Sequence, residues 1–475
     1  MKKTTATTLT LIMLNIAATG SLNNLPSLAT VGLSSITYYV IAMALFFIPY
    51  ALVVAELASG YHKENGIYVW VKDAFGPQWG FTAAWLQWIE NLFWYPTILS
   101  FVAATFGQII HPELATSKTY NLIATLTIYW GLTIANLYGI RASAIISLIG
   151  SSLGILVPGI LLIVFGLIWC FTQHPISLNF NWHALMPNLH QSQDFAFIVG
   201  IALTLAGLEI SAVHAPHVRN PQKAYPVAIL TSTVLVIVSS ILGSLAIAAL
   251  IPANAIDLNN GVAQAFGNFL QHFHIPYLGT ILMFLIAIGG MTAASAWVSG
   301  PSASLAQAAK DDCIPACFHK TNSAGISMPI LAVQGFLVSL FCSAFIIMPT
   351  VSSAYWLLTV IGGQLYLVMY LIMFTAAIKL RAKNSDQYAY KIKGIKTTWL
   401  VSGIGSLGCV IFFFFGFIPP SSLGLANYNH YYLLQITTLV ITLVLPATIY
   451  YFTRLSKLKP QGISLEATPS LSVAE

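Results

Sequence analysis

Ala17-Ala18-Thr19-Gly20-Ser21-Leu22-Asn23-Asn24-Leu25-Pro26 interrupts an apolar run that begins near Leu9 and resumes as far as Val31. A second interruption, Leu205-Ala206-Gly207-Leu208-Glu209-Ile210-Ser211 followed by Pro216, breaks another apolar run. Hydrocarbon offers no partner to an unpaired backbone N–H or C=O. A polar, glycine-bearing gap at membrane depth is therefore tolerated only where it lines a cavity or meets a polar ligand. The N-termini of half-helices at such a gap favour a carboxylate, and the freed carbonyls favour an ammonium. A single glycine in a membrane helix more often serves close packing. Two polar-interrupted segments at corresponding places favour a binding site.

The surroundings of these gaps are those of a membrane protein. Only 7% of the 475 residues are charged, 57% are apolar, and mean hydropathy is +0.80, against about 25% charged residues in a soluble domain. A helix crossing the bilayer core needs roughly 20 mainly apolar residues. Twelve segments meet that test, near 9–31, 35–59, 83–110, 119–138, 144–171, 194–215, 226–251, 276–308, 328–349, 353–380, 397–418 and 428–453. One membrane domain over 1–455 and a short tail over 456–475 are expected.

Positive charge orients the spans. With Lys2 and Lys3 cytoplasmic, every even-numbered connection and the tail are cytoplasmic as well. They hold Lys63, Lys72, Arg141, Arg219, Lys223, Lys310, Lys320, Lys379, Arg381, Lys383, Lys391, Lys393, Lys396, Arg454, Lys457 and Lys459. The outer connections hold only Lys118. Such asymmetry is what the positive-inside rule requires, and one miscounted span would invert every later loop. The net charge of +6 reports topology; the basic residues sit in short loop clusters, so nucleic acid is not an expected partner. The lipid bilayer is.

Other classes fit less well. Lys2 and Lys3 before small residues at Ala17, Ala18 and Gly20 mimic a secretory signal, but cleavage there would delete half of the first span and flip the loop parity. The five cysteines, Cys170, Cys313, Cys317, Cys342 and Cys409, are scattered through spans and the inner face, without companions at zinc-ligand spacing. They read as structural, and no cofactor or metal is expected. No Walker A sequence is present, so ATP-driven pumping is unsupported. A membrane enzyme would need a catalytic constellation, and His272 with His274 on an outer loop is too sparse for one.

The two gaps lie five spans apart, as expected if spans 1–5 and 6–10 are inverted repeats over about 9–171 and 194–380, each opened by a discontinuous helix. An odd number of spans inserts the second copy upside down. Two further helices over about 397–453 complete an all-α integral membrane fold.

Three stretches carry a family likeness. In the second span and the following loop they are Ile48-Pro49, Ala55-Glu56-Leu57-Ala58, Gly66-Ile67-Tyr68-Val69-Trp70-Val71 and Phe75-Gly76-Pro77-Gln78-Trp79-Gly80-Phe81. On the sixth span they are Gly207-Leu208-Glu209 with Ser211, Ala212 and His214, then Asn220-Pro221 and Tyr225-Pro226; on the eighth, Trp297-Val298-Ser299-Gly300-Pro301-Ser302. In this order the chain resembles the amino acid–polyamine–organocation superfamily, and within it is most similar to the bacterial glutamate/GABA antiporter family, from about Leu9 to Glu466. The resemblance implies the LeuT-like five-plus-five fold, a bacterial cytoplasmic membrane, and exchange or proton-coupled transport of amino acids.

Three acids lie inside the expected spans: Glu56, Glu90 and Glu209. A buried carboxylate in a membrane needs a partner, a watered cavity or a proton. Glu209, with Ser211 and His214 on the same short stretch, can pair with a substrate ammonium, bind a coupling proton, or simply cap the broken helix. Glu90, on an aromatic-rich helix beside Trp88, Trp94 and Tyr95, is a second candidate, and Glu56, near the inner end of its span, a candidate for the gate or the fold. His214 is the histidine placed to relay a proton; a histidine satisfied by carbonyls is the plainer alternative. Tyr366 and Tyr370 are one helical turn apart and share a face. The resemblance places this pair and Trp297 beside the substrate pathway, although tyrosine and tryptophan also serve as packing and interface residues. The substrate contacts expected are Ala17, Thr19, Gly20, Ser21, Asn23, Asn24, Gly207, Glu209, Ser211, Trp297, Tyr366 and Tyr370.

Two departures from the family pattern bear on function. The acidic antiporters carry a glutamate shortly before the matching tryptophan, whereas this chain reads Gly289-Gly290-Met291-Thr292-Ala293-Ala294-Ser295-Ala296-Trp297. Glutamate/GABA specificity is thereby put in question. Acid-responsive members also continue into a tail that plugs the inner mouth; Gly462-Ile463-Ser464-Leu465-Glu466 resembles its start, and the chain stops at Glu475. Transport without this autoinhibition is expected, and deletion of 462–475 should leave flux at neutral pH unchanged. The expected function is secondary transport of an amino acid or amine, by exchange or by proton symport. A non-transporting amino acid sensor and a channel are the alternatives.

Overall fold

The computed structural model describes residues 8–60, 66–137, 150, 152–172, 175–178, 180–187, 195–204, 206–207, 221–320, 327–383, 390–420, 423 and 428–458. Its elements are helices. In chain order the ones that matter are α1 (Thr8–Thr19), α2 (Leu25–Ala29), α3 (Ser34–Gly60, with a π-helical turn at Met43–Phe47), α4 (Gly66–Phe75), α5 (Pro77–Ile110) and α6 (Lys118–Leu137). They continue with α7 (Leu153–Phe171), α8 (Phe197–Leu203), α9 (Pro221–Leu250), α10 (Gly261–His272) and α11 (Tyr277–Lys310). The last are α12 (Met328–Phe341), α13 (Val351–Lys383), α14 (Ile395–Phe415) and α15 (Tyr428–Leu458).

Nine helices among the described residues are long and apolar enough to cross a membrane. The other three expected spans are not among these nine. The first is divided between α1 and α2. Among the described residues the sixth is helical over Phe197–Leu203, after which the chain turns at Thr204 and Gly207; residues 205 and 208–215 of that span lie outside the described residues. The fourth, α6, is 20 residues long but carries Asn121, Thr125, Thr133 and Asn136, all buried, on the face that Tyr129 shares. Its polar side turns inward, where Asn136 Nδ2 donates to Ser295 Oγ at 3.1 Å and Asn121 Nδ2 to the Ala115 carbonyl at 2.8 Å.

Outward-facing positions are correspondingly apolar. Ile160, Val234, Leu400, Phe414, Leu433 and Val440 are all more than half exposed. In water such a surface would be costly, whereas acyl chains are as apolar as the residues themselves. Without a hydrophobic drive between helices, close packing and buried hydrogen bonds hold the bundle. Two long helices, α5 and α13, form its centre and are largely buried. Trp88 Nε1 on α5 donates to Gln334 Oε1 on α12 at 2.9 Å, and Ser302 Oγ on α11 donates to the same oxygen at 3.0 Å. Gln435 Nε2 on α15 reaches both Gln364 Oε1 on α13 (2.8 Å) and the Gly416 carbonyl (2.7 Å).

Helices α7 and α11 touch backbone to backbone. A Cβ at Gly154 would stand 2.3 Å from Gly289 Cα and 2.4 Å from the Leu285 carbonyl oxygen, so only glycine fits. That crossing brings α11 against the centre of the molecule and fixes one wall of the cavity described next.

Candidate functional site

The first interruption is where the helix stops. Gly20 N–H still bonds to the Ile16 carbonyl at 2.7 Å, and regular helix does not resume until Leu25. A helix that ends at Thr19 leaves its last carbonyls without intrahelical partners. The turn between is held from outside by Tyr355 on α13. Its hydroxyl donates to the Asn23 carbonyl at 2.8 Å and accepts from Asn23 Nδ2 at 3.1 Å. Ser21 Oγ donates to Asn23 Oδ1. The second interruption begins at Gly207, whose φ of +104° is a conformation that residues with a Cβ rarely adopt.

A cavity opens beside the first break, with about 70 Å³ available to the centres of water molecules. From the break come Thr19, Gly20, Ser21, Leu22 and Asn24. Helix α5 contributes Glu90, Asn91, Trp94, Thr97, Ile98 and Phe101; α11 contributes Ile286, Gly290, Ala293 and Trp297. Both sets recur at three- and four-residue steps, so each is one face of its helix. Leu358, Thr359, Gly362 and Tyr366 of α13 close a third side, with Gly154 and Ile155 of α7 and Leu203 and Ala206 at the end of α8.

Glu90 is 5% exposed. Asn91 Nδ2 donates to its Oε2 at 3.1 Å and to the Gln87 carbonyl at 2.8 Å. Asn91 Oδ1 is left buried with no hydrogen-bond partner among the described residues. Trp94 and Trp297 pack against each other in the cavity wall, their ring centroids 5.8 Å apart and tilted by 50°. The lining thus combines one carboxylate, several neutral oxygens and four aromatic side chains, Trp94, Phe101, Trp297 and Tyr366.

Of the residues expected at a site, Thr19, Gly20, Ser21, Asn24, Glu90, Trp297 and Tyr366 line this cavity. Asn23 does not line it; it is 2% exposed and holds the break through Tyr355. Tyr370 lies one turn away against Tyr50, ring centroids 4.7 Å apart and tilted by 60°, its hydroxyl donating to Tyr50 Oη at 3.3 Å. The cavity ends between the two tyrosines. Ala17 is in α1; Gly207 is buried at the second break but is not among the lining residues. Glu209, Ser211 and His214 lie outside the described residues. Glu56 is remote from the cavity, paired with Arg381 at the end of α13 (Oε1 to Nη1, 3.2 Å).

Sequence reasoning missed Thr97, Phe101, Gly154, Gly290, Ala293, Thr359 and Gly362 as wall residues, and Tyr355 as the clamp on the break. The α5 positions had a readable signal, since they follow Glu90 at helical spacing. An apolar or small residue in a membrane helix otherwise carries no mark of which face it lies on.

At the end of the bundle that holds Glu56, α4 is latched to the spans around it. Lys72 Nζ lies 2.6 Å from Asp311 Oδ2 and the Tyr68 hydroxyl donates to the same oxygen. Lys379 Nζ stands 4.9 Å above the Phe75 ring. Burial alone would raise the Asp311 carboxyl, but hydrogen bonds from Lys72 and Tyr68 and the Lys72 charge outweigh it and hold it below the usual carboxylate range.

A broken membrane helix beside a buried, mixed polar and aromatic cavity is an arrangement for holding a small polar solute inside a bilayer. The sequence pattern of the family described as amino acid permease matches residues 2–443. The chain belongs to that family. It is 40% identical to an uncharacterized transporter of Legionella pneumophila over 88% of this chain and 90% of the relative. It is 30% identical to a glutamate/gamma-aminobutyrate antiporter of Lactococcus lactis, covering 90% of this chain and 86% of the relative. A probable agmatine/putrescine antiporter of the same species is 23% identical over 77% of this chain and 78% of its own length. This permease is a multi-pass membrane transporter of amino acids or amines, and is not an enzyme.

Proposed function

We propose that this permease is an antiporter of the cytoplasmic membrane, exchanging one amino acid or amine for another by alternating access. The observation that carries the reading is the cavity at the α1 break, walled by α5, α11 and α13 and buried among the spans. In this reading twelve spans are arranged as two inverted five-helix repeats plus two helices, with both termini cytoplasmic. Thr19, Gly20, Ser21 and Asn24 offer carbonyls and side-chain oxygens to the substrate, Trp297 and Tyr366 pack on it, and Glu90 takes its ammonium. Glu209, Ser211 and His214, just beyond Gly207, extend the site from the second break. Asn23 and Tyr355 position the first break, and Tyr370 closes the cavity from the Tyr50 side. Exchange is favoured over proton symport because relatives along most of the chain are named as antiporters.

Counterflow in proteoliposomes tests it. Purified protein should take up labelled substrate only when a substrate is present inside. Uptake into empty vesicles driven by a pH gradient would replace exchange by symport. Ligand binding with no flux would make the protein a sensor, and currents beyond transporter turnover would make it a channel.

A further inference from the structure

The charge lining the cavity is one-sided. Glu90 is the carboxylate among the described lining residues, and no lysine, arginine or histidine joins it. A solute entering this space from water gives up hydration, so its own charge must be met by the wall. The wall meets a cation at several points. Asn91 Nδ2 fixes the Glu90 carboxylate from its own helix, and the buried Asn91 Oδ1, without a partner among the described residues, is a second acceptor beside it. One turn along α5, Trp94 stands against Trp297, and indole faces attract an ammonium or guanidinium. Gly362 lines the cavity next to Glu90 and puts no side chain between carboxylate and solute. The α11 wall, packed against α5, offers Gly290 and Ala293, which bring neither charge nor hydrogen bond.

We infer that the cavity selects solutes of net positive charge, cationic amino acids and amines, and that Glu90 is the specificity-determining residue. The cationic group rests between the Glu90 carboxylate and the Trp94 and Trp297 rings. The remainder of the solute lies toward Ser21, Asn24 and Thr359. A dicarboxylic amino acid is rejected, since its extra carboxylate would face Glu90 with no cation among the described lining residues to offset it. This inference rests on the reading of the cavity as the transport site.

Counterflow with four probes, lysine, putrescine, alanine and glutamate, in proteoliposomes of the full chain tests it at neutral pH. Wild type should exchange lysine and putrescine about tenfold or more faster than glutamate, a discrimination in the range a buried polar contact supplies. Glu90→Gln should collapse that preference, reducing lysine and putrescine exchange about tenfold more than alanine exchange. Glu90→Asp should restore it in part. Putrescine should raise the thermal midpoint of detergent-purified wild type and not of Glu90→Gln, a binding readout independent of flux. Glutamate exchange as fast as lysine exchange in wild type would overturn the inference and leave the transport reading standing. So would a Glu90→Gln protein that loses all four probes in equal proportion while still folded by size exclusion. No counterflow with any probe would overturn the transport reading, and this inference with it.

Discussion

Arg381 closes on Glu56 across the C-terminal ends of α13 and α3, with Nη1 3.2 Å from Oε1 and the two side chains only 10% and 5% exposed. The same guanidinium donates from Nη2 to the Ile392 carbonyl at 3.4 Å, and Ser59 Oγ bridges to residue 390 through its backbone. Removing one partner of a buried ion pair strands the other charge and costs on the order of 3–5 kcal/mol. Arg381→Met is therefore expected to lower the thermal midpoint sharply, and Glu56→Gln combined with it to recover part of the loss. Thermal unfolding of the single and double variants in one detergent checks this. An additive double variant would mean that the two groups do not interact.

Tyr355 is expected to matter for the site although it does not line the cavity. Its hydroxyl makes two bonds to Asn23, 2.8 Å to the carbonyl and 3.1 Å from Nδ2, inside a fully buried junction. Tyr355→Phe keeps the ring and leaves both Asn23 groups unsatisfied, at a cost of about 1–3 kcal/mol. Because these groups hold the α1 break, substrate affinity should fall along with stability. Binding measured by thermal shift at saturating substrate, compared with the unliganded midpoint, separates the two effects. Unchanged affinity would remove Tyr355 from the support of the site.

How much of this was legible in the sequence differs from residue to residue. The α1 break was readable because Gly20, Ser21, Asn23 and Asn24 are polar or small where hydrocarbon demands apolar helix. Glu90 was readable because an acid in a span needs a reason. Ile98 and Phe101 on the same cavity face carry no such mark, since either suits lipid, core or cavity equally. The Glu56 partner was invisible: Arg381 stands hundreds of positions away and reads as one more inner-loop cation. Tyr366 and Tyr370 share a face by spacing, yet the cavity stops between them, which depends on where Tyr50 and Phe46 pack. Helix α6 shows the same limit in hydropathy, because a buried polar face lowers the mean of a segment whose other face is apolar.

Glycine positions give opposite expectations on neighbouring helices. At Gly154 a Cβ would collide with the Gly289 backbone at 2.3 Å, and neither helix can yield locally. Gly154→Ala should separate α7 from α11, destabilise the protein by about 1–3 kcal/mol or more, and widen the cavity wall enough to impair transport. Gly131, within α6, has nothing within 4 Å of its Cβ position. There alanine should be tolerated or should stabilise by up to about 1 kcal/mol through helix propensity. The two variants, compared by thermal midpoint and by counterflow, test whether the α7–α11 contact is the constraint. Equal behaviour would refute it.

Asp311 lies past the end of α11, and its contacts set a pH dependence with a definite sign. Lys72, at 2.6 Å, and the Tyr68 hydroxyl hold its carboxyl below the usual range despite burial that would raise it. A carboxyl depressed in the folded state contributes stability that is fully present above its unfolded value, about 3.9, and is lost as pH falls through the lower folded value. The midpoint of wild type should therefore exceed that of Asp311→Asn at neutral pH, with the gap closing only below about pH 4. The side chains of Lys72 and Asp311 are 33% and 24% exposed, so solvent screening keeps the contribution to about 1 kcal/mol or less. Tyr68→Phe removes one of the bonds that depress the carboxyl, so the gap in that background should be smaller and should have closed completely at a higher pH. Unfolding of the four proteins across an acid series, in one detergent and at fixed ionic strength, reads this directly. A gap that grows on acidification would mean that burial, and not Lys72, governs Asp311.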